Sequence, residues 1–355
     1  MNDELLPAHF CAAGEQPSIE LLAGFVPLND LSNAHLATIA RMASVMTVPE
    51  GQFIADQQIL DDCYVYLVSG AITTTFSVSG QQVVYTAASF GMLSIGDYLD
   101  AVRKIDAATD TQVLVVNRNE LDSMLCWDQV SKSLTLELCA EREYDEDREW
   151  INTLLTSNLF HKIPPYNIRA VLDKFEPRVV QNGEVIVRQG AHGDDCYIIK
   201  EGRALVTQQA SATAEPEVVA ELHAGQCFGE DALVNQSLRN ASVTMESNGV
   251  LMALHKRDFT ALQSEPAIAG VCFAEADSRV AAGATWLDVR SQQEYDHDHR
   301  RNAFHLPLHL MSIKARLMQQ DYKYMAYCST GRRAATAARL LQQRGFDVTP
   351  VIPLS

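Results

Sequence analysis

The chain has 355 residues, 47% of them hydrophobic and 21% charged, and its 45 acidic residues outweigh 28 basic ones for a formal net charge of −17. That balance excludes a disordered chain, and the length exceeds one ordinary core, so two to three domains are expected. The negative field repels nucleic-acid phosphates and acidic membrane surfaces, which sets both aside as partners.

The eight cysteines show neither CxxC pairs nor zinc-like spacing, which fits reduced thiols. Met1-Asn2-Asp3-Glu4 lacks the basic start and apolar run of a signal peptide, and no apolar run approaches the ~20 residues that span a bilayer. A cytoplasmic location is expected, and a homodimer is left open.

Residues 1–20 have little periodicity and are expected to form a loose arm. From Leu21 to Val48 apolar residues recur at three- and four-residue spacing (Leu36, Ile39, Met42), a helical pattern. Pro49-Glu50-Gly51 and Tyr64-Val65-Tyr66-Leu67-Val68-Ser69-Gly70 then open a series of short strands, so residues 21–133 read as a β-roll. Leu134 to Leu155 carries Glu141, Glu143, Asp145, Glu146, Asp147 and Glu149 around a thin apolar stripe. Residues 134–158 are expected to be a solvated helical connector, since a carboxylate run without a loop-forming glycine makes a poor calcium loop.

Residues 159–265 repeat the first pattern. Leu159 to Phe175 is helical in pattern, Asn182-Gly183-Glu184-Val185-Ile186 opens the strands, and Gly183 and Gly202 each follow Gly51 and Gly70 by 132 residues. An internal repeat of about 130 residues follows. Within the second copy, Phe228-Gly229-Glu230-Asp231-Ala232-Leu233 is followed by Arg239-Asn240-Ala241-Ser242-Val243. Gly229 permits close backbone approach, and the free N–H groups of the short helical turn after it favour an anion. Arg239 brings a planar fork suited to phosphate, and Glu230 can accept hydrogen bonds from a hydroxyl. Together these groups describe a site for a ribose phosphate.

That stretch resembles the phosphate-binding cassette of cyclic-nucleotide-binding domains, with Phe228, Gly229, Glu230, Ala232, Leu233, Arg239, Ala241 and Val243 in register. The resemblance implies that Glu230 holds the ribose 2′-hydroxyl and Arg239 neutralises the cyclic phosphate. Leu238 and Asn240 depart from the usual pattern. Asn240 supplies no hydroxyl of the kind that often favours guanine, so cAMP is the first expected ligand and cGMP the second. Gly190-Ala191-His192-Gly193-Asp194 is similar to the family's glycine-rich turn. In the first copy the nearest match is Ile95-Gly96-Asp97-Tyr98-Leu99-Asp100, with Asp106 near the arginine's place, where it would repel a phosphate. The first copy is therefore expected to be degenerate, a structural partner surface for the second.

After the cassette, Val250-Leu251-Met252-Ala253-Leu254 reads as a closing strand, and His255 to Gln263 as a helix ended near Pro266. No helix-turn-helix follows. Residues 270–355 instead hold Ala284-Thr285-Trp286-Leu287-Asp288-Val289-Arg290, and Tyr327-Cys328-Ser329-Thr330-Gly331-Arg332-Arg333 ahead of an alanine- and leucine-rich helix. Cys328 thus falls in a strand-to-helix turn, where helix amides and two arginines are expected to lower a thiol pKa, and loop amides can form an anion nest.

This segment resembles a rhodanese domain, through Leu287-Asp288-Val289-Arg290, Glu294-Tyr295, His299 with Ala303, Leu306-Pro307 and the loop from Cys328 to Arg333. The resemblance implies a persulfide on Cys328, the loop Ser329, Thr330, Gly331 and Arg332 around it, and Arg333 with the loop amides holding an anionic sulfur donor or acceptor such as thiosulfate. Asp288 and Arg290 join Cys328 and Arg333 as the expected catalytic set. Related phosphatases carry an arginine six residues after the cysteine; here that position is Ala334. The Asp298-His299-Arg300-Arg301-Asn302 stretch departs from the family pattern, and its closing glycine pair and tryptophan are absent. His297, His299 and His305 form no metal set, and the remaining cysteines (Cys11, Cys63, Cys126, Cys139, Cys196, Cys227, Cys272) read as packing residues.

The expected fold is multidomain, α+β and α/β: two cyclic-nucleotide-binding β-rolls with flanking helices, then a rhodanese-like α/β domain. Two functions remain open. One is a cyclic-nucleotide-gated sulfurtransferase, with closure of the helix after Leu254 transmitted through Pro266. The other is a non-enzymatic regulator in which the rhodanese fold is a docking module.

Overall fold

A computed structural model describes residues 14–99, 101–140, 150–152, 154–155, 163–211, 214–230, 238–263 and 268–352. The chain divides into two compact units, one of Met1–Gln129 with Ile268–Ser355 and one of Val130–Ala267. The amino-terminal roll therefore shares its unit with the rhodanese-like segment. Sequence analysis had placed its partner surface toward the second roll.

Two sheets build the amino-terminal roll. One orders Ser44–Val48, Thr111–Asn117 and Cys63–Ser69; the other orders Phe53–Ala55, Val102–Ala107, Ala71–Phe76 and Gln82–Thr86. Because side chains alternate across a strand, the Cys63–Ser69 strand serves two cores. Val65 and Leu67 pack with Ile54, Ile72 and Ile105 inside the roll, while Tyr64 and Tyr66 pack with Leu36, Ile39, Leu121 and Leu125.

Two expectations change here. Within residues 1–20, Glu15 bridges Val45 and Ser18 caps a helix at Ile19–Leu22, so the described part of the arm is anchored. The helical pattern from Leu21 to Val48 ends at Met42, and Ser44–Val48 is a strand, because Val45 and Val48 bury alternate faces against the sheet. A helix of 23 residues, Arg118–Ala140, follows the roll and begins well before the expected connector. The connector's acidic run, 141–149, lies outside the described residues, as do Cys11, Asp100 and Pro266.

The second roll repeats the first in pairing register. Cys63 opposes Asn117 in one and Asp195 opposes His255 in the other; Ile72 opposes Ala107 and Ala204 opposes Met245. Strands up to Ala71–Phe76 are thus offset by 132 residues, the next strand, which pairs with it, by 137 and strands after the cassette by 138. The bulges repeat too, between Leu67 and Ser69 and between Ile199 and Glu201. In the expected Leu159 to Phe175 helix, the described part is a 3-10 turn, Pro165–Asn167, and a helix, Ile168–Leu172. The roll closes with the strand Gly249–His255 and the helix Lys256–Gln263.

The carboxy-terminal segment is a parallel sheet ordered Phe304–His305, Thr285–Asp288, Lys323–Tyr327 and Asp347–Pro350. Parallel neighbours need crossovers, and Gln292–His297 and Arg332–Gln342 are helices within two of them. Central residues such as Leu287 and Ala326 are fully buried, as a covered parallel sheet requires. A parallel bridge between Val271 and Val351, with Ile352 N–H donating to the Val271 carbonyl, continues the pairing beyond the last strand. No helix among the described residues is long and apolar enough to cross a membrane.

Candidate functional sites

In the second roll, Phe228 ends the short strand Cys227–Phe228 and stacks on Tyr197, ring centres 5.2 Å apart, inside the core. Gly229 follows with φ +76°, and a side chain there would lie 2.6 Å from Arg239 Nη1, so both conformation and space call for glycine. Arg239 Nη1 donates to the Gly229 carbonyl at 2.7 Å and Nη2 to the Asp195 carbonyl. Both partners are neutral oxygens, which orient the fork without cancelling its charge. The Gly190–Asp194 turn holds the same arginine's backbone: Arg239 N–H donates to Ala191, and Gly190 N–H donates to the Arg239 carbonyl. Gly193 gives the guanidinium room, since a side chain there would meet Nε at 2.1 Å.

Phe228, Gly229, Glu230, Arg239, Asn240 and Ala241 all line one cavity of about 210 Å³. The sequence-predicted carboxylate and guanidinium therefore face a common space. Ala232 and Leu233 lie outside the described residues.

The repeat register corrects the reading of the first copy. Asp106 opposes Thr73 as Thr244 opposes Leu205, so Asp106 holds the place of Thr244. There it pairs with Lys104 at 2.8 Å. At the 138-residue offset Phe90 and Gly91 take the places of Phe228 and Gly229; both phenylalanines are buried and both glycines have positive φ. Met92 then stands where Glu230 does and Ala101 where Arg239 does. Ile95 to Tyr98, the stretch matched by sequence, is a helix whose Asp97 pairs with Arg118 at 3.1 Å.

In the rhodanese-like segment, Cys328 follows the strand Lys323–Tyr327 at its carboxyl end, the edge where parallel sheets place their sites. Gly331, with φ +83°, turns the chain into the helix Arg332–Gln342. Two amides point back at the sulfur: Gly331 N–H at 3.1 Å and Ala334 N–H at 3.4 Å from Sγ. Cys328 is only 3% exposed. Burial pushes its thiol up, Arg333 opposes that shift, Asp122 adds to it and the loop amides oppose it. The expected lowering of the pKa is thus reversed: the amides do donate, but desolvation outweighs them.

Arg333 explains part of that outcome. Its guanidinium is fully buried and turned inward, donating from Nη1 and Nη2 to the Glu294 carboxylate at 2.6 and 2.8 Å and from Nη2 to Ser329 Oγ at 3.0 Å. Nε lies 3.7 Å from Asp122. With its charge committed to two carboxylates, Arg333 fixes the loop from behind instead of facing an anion, as sequence analysis had expected. Arg332 points outward, its Nε donating to Asn119 Oδ1 at 3.1 Å.

Asp288 is buried and saturated. It accepts from Arg290 N–H, from the Arg290 side chain and, at 2.6 Å, from Tyr327 O–H. Arg290 also donates to the Asp298 carbonyl at 2.6 Å and lines a cleft of about 640 Å³ with Cys328, Ser329 and Thr330. Asp288 therefore orients Arg290, and Arg290 is the member of the pair that reaches the cleft. His299 stacks on Tyr295 at 3.9 Å, and His305 Nε2 lies 3.0 Å from the Arg290 carbonyl. No metal-binding group of three or more ligands occurs among the described residues.

Sequence reasoning gave no role to Glu294, though Ser291 and Glu294 spell the capping box that the structure forms. Asn119 and Asp122 carried no local signal; they reach the Cys328 loop only through the fold.

A family model described as cyclic nucleotide-binding domain matches residues 177–265, and one described as rhodanese-like domain matches residues 273–352. Among curated proteins, the cAMP-dependent protein kinase regulatory subunit of Dictyostelium discoideum is 33% identical over 181 residues, covering 50% of this chain and 51% of that protein. The cGMP-dependent protein kinase 2 of Mus musculus is 29% identical over 112 residues, 32% of this chain and 15% of that protein. The chain thus spans at most about half the length of these two relatives. A solved regulatory domain of Toxoplasma gondii PKA with cAMP is 19% identical, covering 74% of this chain and 95% of that chain at a TM-score of 0.30. With the two family models covering the Arg239 cavity and the Cys328 loop, the chain carries a cyclic nucleotide-binding domain at residues 177–265 and a rhodanese-like domain at residues 273–352.

Proposed function

We propose that this chain is a cyclic-nucleotide-binding regulatory protein whose rhodanese-like domain transfers sulfane sulfur through Cys328. The observation that carries the transfer is the pair of amides, Gly331 and Ala334, aimed at Sγ. They stabilise negative charge on the cysteine sulfur as thiolate, and in the persulfide, where the charge passes to the outer sulfur, they stay beside it. The Cys328 thiolate attacks the outer sulfur of thiosulfate. A Cys328 S–S bond forms, the S–S bond of thiosulfate breaks, and sulfite leaves with the electron pair. An acceptor nucleophile such as cyanide then takes the outer sulfur and returns the thiolate. Arg290, held by Asp288, is the cation we assign to the donor anion in the cleft.

In the second roll, Arg239 pairs with the cyclic phosphate and Glu230 accepts from the ribose 2′-hydroxyl. Cyclic AMP is the first ligand and cGMP the second. The first roll, with Met92 and Ala101 at those two positions, is read as a degenerate copy that binds neither. Nucleotide binding acts on sulfur transfer by favouring one of two states, and only by its differential affinity for them.

Thiosulfate:cyanide sulfurtransfer by the full chain and Cys328→Ala, each with and without saturating cAMP or cGMP, tests the reading. Activity lost in Cys328→Ala and altered by nucleotide supports it; equal rates for wild type and variant sink the enzyme. One observation favours a second reading: a thiol buried and pushed up in pKa is a poor nucleophile, as in a rhodanese fold kept for docking. That reading requires wild type to be inactive with every sulfane donor tried.

A further inference from the structure

The helix Arg118–Ala140 begins in the amino-terminal roll and touches the Cys328 loop at three side chains. Thr330 O–H donates to Asp122, Arg332 Nε donates to Asn119, and Arg333 Nε faces Asp122. Asp122 is fully buried and also accepts from Tyr64 O–H at 3.3 Å. A carboxylate in that setting is tolerated only with partners, and here it has a cation and two hydroxyls. The roll contributes to the cleft as well: Asp97, Arg118 and Asn119 line it together with Arg290, Arg300 and Cys328.

We propose that Asp122 is a positioning residue of the Cys328 site, supplied by the amino-terminal roll, so that the persulfide loop and its reactivity belong jointly to the two segments. This rests on the reading of Cys328 as the reactive thiol, but not on sulfur transfer taking place. Asp122 acts through two partners. Through Thr330 it fixes the loop between Cys328 and Gly331, whose amide points at the sulfur. Through Arg333 it takes part of the positive charge that would otherwise favour the thiolate. The groups facing this pair are Arg333 with Glu294 behind it, Tyr64, Arg118 and the Cys126 thiol. Asp122 is among the charges that raise the thiol, in line with this placement. A roll without the nucleotide-binding pair thereby gains a function: it holds a site's loop and borders the path a substrate must take.

The test is alkylation of Cys328 by iodoacetamide in the full chain, followed at its own peptide by mass spectrometry from pH 6 to 10. Asp122→Asn keeps the shape and the acceptor for Thr330 but removes the charge. Its profile should move down by about one pH unit, with roughly tenfold more thiolate at neutral pH. A profile superimposed on that of wild type overturns the proposal. Thr330→Val keeps all charges but frees the loop whose amides favour the thiolate, so its midpoint should not move down while hydrogen exchange of the 328–334 amides rises; unchanged exchange also overturns the proposal, even if Asp122→Asn fails to fold. Thiosulfate turnover is read separately, so an inactive sulfurtransferase with a shifted thiol refutes the enzymatic reading alone.

Discussion

Arg333 and Glu294 form a doubly bonded ion pair at 2.6 and 2.8 Å with both side chains buried, joining the helix after Cys328 to the helix Gln292–His297. The pair sits behind the Cys328 loop, and Ser329 Oγ closes the ring to both partners. A loop of four residues between a strand and a helix has little core of its own. What fixes it is this pair together with the capping box of Ser291 and Glu294.

Breaking the pair should therefore be costly. Glu294→Ala leaves a buried guanidinium with Asp122 at 3.7 Å as its remaining carboxylate and Ser329 Oγ as a neutral acceptor, and loss of one partner of such a pair costs roughly 3–5 kcal/mol. Thermal unfolding of the full chain should show an early transition in this variant. Arg333→Lys cannot donate to both carboxylate oxygens in the same plane and should show a smaller fall in the same melt.

The same carboxylate sets an acid limit. Burial raises the Glu294 pKa, but Arg333 and the Ser291 amide overcome that and hold it at about 2, against 4.5 unperturbed. A depressed carboxylate contributes stability that is fully present above its unfolded value and is lost as pH falls toward its folded one. Unfolding free energy should therefore drop between about pH 4.5 and 2 by more in wild type than in Glu294→Gln. Parallel curves for the two would remove Glu294 from the account.

For the nucleotide cavity, Arg239→Ala removes a charged donor, and a hydrogen bond to a charged group is worth about 1.5–3 kcal/mol. Isothermal titration with cAMP should show affinity lower by roughly 10- to 150-fold. Wild type should bind about one nucleotide per chain, because Met92 and Ala101 leave the first roll without the carboxylate and the guanidinium. Two equivalent sites would contradict the register drawn between the rolls.

Gly229→Ala should weaken the same cavity by another route. Its φ of +76° costs an alanine about 1–2 kcal/mol, and the new methyl group would press on Arg239 Nη1. Loss of affinity with a modest fall in melting temperature is expected.

Cys63 provides a control for thiol chemistry. Burial, helped by Asp62 and opposed by Arg118, pushes its pKa up to about 12. In native protein at pH 8 the Cys63 peptide should remain unmodified by iodoacetamide, and should react once urea unfolds the roll.

Sequence alone determined what is written in consecutive residues. The cassette around Gly229 and Arg239, the turn that carries Cys328, and the 132-residue spacing of Gly51 with Gly183 and Gly70 with Gly202 are local, because backbone conformation and strand alternation depend on near neighbours. Tertiary structure decided which partner each charge meets. Arg333 looks like an anion clamp beside Cys328, yet Glu294, 39 residues earlier, and Asp122 in another segment turn it inward. The thiol's pKa followed, since desolvation depends on what covers the sulfur. The first copy differs at Asp106 for a related reason: strand pairing after the cassette, with buried Phe90 and positive-φ Gly91 before it, puts Met92 and Ala101 at the places of Glu230 and Arg239. That the first roll meets the rhodanese-like segment was equally invisible, because an interface between distant segments leaves no periodic trace in either one.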